Sequence, residues 1–162
     1  MRVLVLSVLL VGSVSIAHAA EIAPEGPIDS DFTWTARQQT MPTAGGMEAF
    51  TAEAFLVLTA TSPGSVLNKL AARCLMAGKQ DPKGSEYHSS GSCTFTDADG
   101  DQIFETFEET SGAGGTGNLV GGTGKFAGIT GDHTITEEFF GSPTEGVYQG
   151  VGHKKGSYKI VK

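Results

Sequence analysis

The chain has 162 residues with 18 acidic against 11 basic side chains, a formal net charge of −7. That balance argues against nucleic acid or an anionic membrane as partner, because both select clustered Lys and Arg. The length suits one domain with a single core, and the two cysteines allow one intramolecular disulfide.

The first segment reads as an export signal. Arg2 supplies a short positive start, an apolar run follows from Val3 through Val11, and it continues weakly through Val14 and Ile16. Ala17-His18-Ala19 then gives the small-x-small pattern of a signal peptidase site, so a bacterial-type signal peptide over residues 1–19 is expected, cleaved after Ala19. An anchor would need about 20 apolar residues, and Ser7, Gly12, Ser13 and Ser15 interrupt this one. The destination is exported, periplasmic or extracellular. Removing residues 1–19, which hold Arg2 and no acid, leaves 143 residues with a formal charge of −8.

Residues 20–31 carry two prolines and four acids with little apolar content, and are expected to form a flexible arm ahead of a β domain over 32–162. Phe32 to Ala36 is rich in β-formers. From Phe50 to Ala60 every second residue is apolar (Phe50, Ala52, Ala54, Leu56, Leu58, Ala60), the period of a strand with one buried face. Ser62-Pro63-Gly64 stops that pattern. Leu70 to Ala77 is a further strand candidate, although Ser65 to Met76 also offers the best attempt at a helix. Gly78 to Gly91, polar and containing Gly and Pro, reads as a long loop. Ser92 to Thr96 and Gln102 to Phe107 flank Asp97-Ala98-Asp99-Gly100, a strong hairpin signal because Asp and Gly tolerate the positive φ of a tight turn. From Gly112 to Gly156 there are 14 glycines interleaved with Phe126, Ile129, Ile135, Phe139, Phe140, Val147 and Tyr148. Glycine in strands marks bends and close backbone approach, which a closing barrel needs. Gly156 to Val161 is a plausible last strand. All-β is the reading.

Cys74 and Cys93 are expected to form a disulfide in an oxidising compartment. Neither sits in a C-x-x-C or beside a histidine, which weakens the reading as a redox or nucleophilic thiol. Asp97, Asp99 and Asp101 suggest calcium, but an EF-hand loop needs glycine at position 6, where Gln102 stands, and helical flanks. Gly121-Gly122-Thr123-Gly124-Lys125-Phe126 resembles a phosphate loop only superficially: Leu119 stands at its first glycine and Phe126 replaces the hydroxyl residue. Ala127 stands where the G-x-G-x-x-G pattern needs its last glycine. His88, His133 and His153 have no spacing that presets a metal site and read as single exposed histidines. Glu105, Glu108, Glu109, Glu137 and Glu138 offer carboxylates for acid–base chemistry, but read as solvated strand faces. No serine lies in G-x-S-x-G. No catalytic, cofactor-binding or metal-binding residue is assigned, and no cofactor is expected.

The stretch Gly121 to Gly131, with Cys93 to Asp101 upstream, resembles a recurring segment of small exported bacterial proteins related to the allene oxide cyclase and dirigent-type β-barrels. The resemblance covers roughly residues 66–135. It implies an antiparallel barrel of about eight strands with an interior cavity, and it carries no functional residue onto a position of this chain. The small inward residues Ala52, Ala54 and Ala60 favour space for one small ligand. The leading expectation is therefore an exported barrel binding a small apolar molecule. An isomerase or cyclase on an apolar substrate would need a buried polar residue in the cavity with a perturbed pKa. A structural or interaction protein would use the outer surface.

Overall fold

The computed structural model describes residues 22–111 and 114–161; the expected signal peptide lies outside them. Eight strands follow one another in chain order and close into a barrel. They are β1 Glu25–Pro42, β2 Glu48–Ala60, β3 Leu70–Gln80, β4 Tyr87–Thr96, β5 Gln102–Thr110, β6 Gly114–Gly122, β7 Ile129–Thr144 and β8 Val147–Ile160. Each strand pairs antiparallel with its chain neighbours, and β1 also pairs with β8, which closes the wall. Closure satisfies the backbone groups that an open sheet would leave at its edges.

Period-two alternation decides which side chains fill the interior. In β2, Phe50, Ala52, Ala54, Leu56 and Leu58 are buried while Thr51, Phe55, Val57 and Thr59 face outward. Outward positions elsewhere are largely polar, as with Thr33, Arg73, Thr106, Glu108, Thr134 and Lys155. No helix among the described residues is long and apolar enough to cross a membrane.

The two ends differ. At one, the segment between β2 and β3 folds inward as a plug: Leu67 is fully buried and Val66 nearly so. Ser30 Oγ donates to Leu67 O at 2.6 Å and meets Ser65 Oγ at 2.8 Å, which fixes the plug to β1. Ile28, Leu58, Leu70, Phe95, Ile103 and Ile129 complete a packed core there. The other end, bounded by the β1–β2, β3–β4 and β7–β8 turns, is open.

Three expectations need correction. The arm over 20–31 is strand from Glu25 onward, with Glu25 to Asp31 paired against Lys159 to His153 of β8. Composition suggested a loose segment, but the long β8 supplies backbone partners and Ile28 anchors the segment in the core. The loop over Gly78 to Gly91 shrinks to residues 81–86. Both bounding glycines lie within strands, where a Cβ would come within 2.8 Å of the Phe50 and Phe107 rings respectively; they make room for aromatic side chains and do not mark irregular backbone. Ser65 to Met76 forms no helix, being divided between the plug and β3. The Asp97–Gly100 hairpin turn and the Gly-rich strands are found as expected.

Candidate functional site

The open half of the barrel holds a cavity of about 470 Å³. Its two walls differ chemically. Strands β1 to β3 contribute Trp34, Ala36, Phe50, Ala52, Ala54 and Leu56, with Met76 and the glutamines Gln38 and Gln80 nearer the mouth, and no titratable side chain. The opposite wall contributes Glu105 and Glu109 from β5, Glu137 from β7 and Lys154 from β8. Tyr87, Phe139 and Tyr148 ring the upper part.

Cys74 and Cys93 lie directly opposite each other in β3 and β4 and form the expected disulfide, Cα atoms 4.1 Å apart. Both are buried and border the cavity. Closing a loop of this size stabilises the fold by about 3 kcal/mol in the chain-entropy picture.

A charged cluster forms the floor. Glu105, His133 and Lys154 are 1%, 4% and 2% exposed. Lys154 Nζ donates to Glu105 Oε1 at 2.8 Å and to His133 Nε2 at 3.3 Å. His133 Nε2 also lies 3.0 Å from Glu105 Oε2, but off line for a hydrogen bond. Glu105 Oε2 and His133 Nδ1 are thus buried without hydrogen-bond partners among the described residues. Beneath the ammonium lie the rings of Phe32 and Phe95, with centroids 5.7 and 5.6 Å from Nζ. Burial pushes the Glu105 carboxyl up, but Lys154 and His133 outweigh it and hold the group below its ordinary value.

Higher in the cavity the balance reverses. Burial, and then the charge of Glu109, raise Glu137 to about 8 against the pull of Lys154. Glu109 is raised by burial first and by Glu105 in addition. Tyr87 is pushed up to about 12 by burial and by these same two carboxyls.

These positions overturn the reading of the glutamates as a solvated face. Glu108 and Glu138 do face solvent, but Glu105, Glu109 and Glu137 share their faces with Ile103, Phe107 and Ile135 and point inward. His133, read as exposed, is buried for the same reason. A Cβ at Gly117 on the neighbouring strand would overlap its ring, so a glycine provides the space it occupies. His88 and His153 are on the outside as expected: His88 Nδ1 lies 3.0 Å from Thr110 Oγ1, and His153 sits between Asp29 and Asp31. Lys154 and its partnership with Glu105 had no motif to announce them; the available signal was its even-numbered register with Gly150, Gly152 and Tyr158 in β8.

The aspartate turn is occupied by the chain itself. Lys125 Nζ contacts Asp97 and lies 2.7 Å from Asp99, and Asp101 Oδ2 accepts from the Lys125 backbone N–H at 3.1 Å. Lys125 is the lysine of the phosphate-loop look-alike, held here in a short 3₁₀ turn over Gly124–Phe126. Both motifs are therefore two halves of one structural contact. No group of three or more His, Cys, Asp or Glu among the described residues is arranged to hold a metal ion. Comparison with protein-family models and with curated proteins finds no match for this chain.

Proposed function

We propose that the protein is an exported β-barrel that binds a small, mostly apolar molecule in its interior. The observation that carries this reading is the cavity of about 470 Å³, open at one end and walled on one side by apolar side chains. Ligand sites in barrels lie in such mouths, with few polar groups fixing orientation. The inward alanines at positions 52 and 54 keep the volume free, and the resemblance to allene oxide cyclase and dirigent-type barrels agrees with it.

Trp34 is the only tryptophan and borders the cavity, so its fluorescence reports occupancy. Titration with the apolar dye N-phenylnaphthylamine should quench Trp34 saturably at one site per chain, and n-octanol should displace the dye. Ala52→Phe should fill the cavity and abolish the quench while the far-UV circular dichroism stays that of the parent. Quenching that does not saturate, or that survives Ala52→Phe, would sink the proposal.

A second reading, an isomerase on an apolar substrate, is favoured by one observation: Glu137, raised to about 8, and its neighbour Glu109 face the same cavity. A carboxyl poised near neutral pH is suited to proton transfer. Exchange of a bound ligand's acidic C–H for deuterium in heavy water, lost in Glu137→Gln, would separate this reading from passive binding.

A further inference from the structure

Resting on the reading of the interior as a binding site, the charge pattern of that interior constrains what it binds. Glu105 is matched by Lys154. Glu109 and Glu137 have no hydrogen bond or ion pair with any described side chain, yet both face the cavity and are only partly buried. Strand β6 lies between them and contributes no titratable residue. Glu109 pairs with Gly115, and Gly115 pairs with Ile135, two positions from Glu137 on the same face. A Cβ at Gly115 would come within 2.6 Å of Glu109 Cγ, so the glycine lets the carboxyl lean across the strand towards its counterpart.

Aromatic rings surround the same region. Phe139 packs edge-on against Trp34 with centroids 5.0 Å apart and against Tyr87 at 6.4 Å. Carboxylates combined with aromatic faces attract organic cations, the rings through their negative faces and the carboxylates through charge. We propose that the upper cavity recognises an organic cation: an ammonium or quaternary ammonium head beside Glu109 and Glu137, with its apolar portion along the β1–β3 wall. An anionic ligand would meet three carboxyl groups, and would hold Glu109 and Glu137 in their protonated forms, against one ammonium already held by Glu105, apart from Lys83 at the rim. A neutral ligand would leave the acidic pair unmatched.

The titratable groups that line the cavity with this pair are Glu105 on β5, Tyr87 on β4, Tyr148 and Lys154 on β8, and Lys83 on the β3–β4 turn, with His133 on β7 against Glu105; the β1–β3 wall adds none. A fixed cation favours the ionised carboxyls, so its binding releases a proton. Affinity then rises with pH until both carboxyls are ionised.

The test uses the processed protein and three probes with one tail: octyltrimethylammonium, n-octanol and octanoate, followed by calorimetry and by Trp34 fluorescence. The cation should bind at least about tenfold more tightly than octanol, tighten between about pH 6 and pH 9 with proton release, and exceed octanoate by more. In Glu109→Gln/Glu137→Gln, and partially in Glu137→Gln alone, the cation's affinity should fall to that of octanol on the same variant. Octanol or octanoate binding as tightly as the cation, or a cation preference that survives in the double variant, overturns the proposal while leaving interior binding intact. Failure of all three probes to bind overturns both.

Discussion

Glu105 and Lys154 each sit in the barrel floor almost without solvent, and their 2.8 Å contact is what makes that burial tolerable. Breaking a buried pair by removing one partner leaves an uncompensated charge, typically at a cost of about 3–5 kcal/mol. Glu105→Gln and Lys154→Met should each lower the urea-unfolding free energy by about that much. The double variant should lose much less than the two losses combined, because neither charge is then left alone. Strict additivity would mean that the pair is not coupled. At this scale the sequence was readable only in part. Ile103, Glu105, Phe107 and Glu109 share one parity, so the inward direction of the two glutamates follows from their apolar neighbours once β5 is accepted as a strand. The prior that carboxylates face water hid this. For Lys154 the obstacle was different: its inward neighbours are glycines, which carry no hydropathic signal, and its counter-ion lies 49 positions away in the chain.

Between elements, the β4–β5 turn and the segment joining β6 to β7 hold each other. Asp97 Oδ1 accepts the backbone N–H groups of Asp99 and Asp101 at 2.9 and 3.0 Å, while Lys125 crosses over to their carboxylates. Lys125 is raised chiefly by its hydrogen bonds to Asp97 and Asp99. Replacing it by alanine removes charge-assisted bonds from a partly shielded site and should cost about 1–2 kcal/mol in thermal or urea unfolding. A Lys125→Ala variant as stable as its parent would reduce the contact to decoration. The hairpin itself was legible, since Asp-Gly turn chemistry is local. What no local pattern could show was that a glycine-rich segment more than 20 residues downstream brings the cation that this turn needs. The strand content of β1 was hidden for a related reason, because Glu25 to Asp31 become extended through pairing with β8 at the far end of the chain.

For the whole molecule, the interior carboxyls make stability depend on pH in two separate windows. Glu105 is depressed below the ordinary 4.5, so its contribution is present above that value and is lost as pH falls below it. Glu137 is raised from 4.5 to about 8, so the folded protein binds more protons than the unfolded chain between those values, and stability falls as pH rises through that window. The melting temperature should therefore peak on the acidic side of neutrality. The decline towards pH 8 should be on the order of 2 kcal/mol, allowing for solvent in the cavity. Glu137→Gln should lessen that decline, part of which belongs to Glu109, raised in the same direction, and leave the acid limb in place. An unchanged slope in the variant would show that Glu137 is not the group responsible.

The polarity of the barrel along its axis has a practical consequence. Both described termini lie at the plugged end, where the Ile160 N–H donates to Pro24 O at 2.6 Å, while the mouth opens through the turns at the opposite end. Both ends of the described chain therefore stand a full strand length from the opening. A sensor chip holding the barrel by its plugged end would present every mouth outward, with the support out of the path of whatever enters.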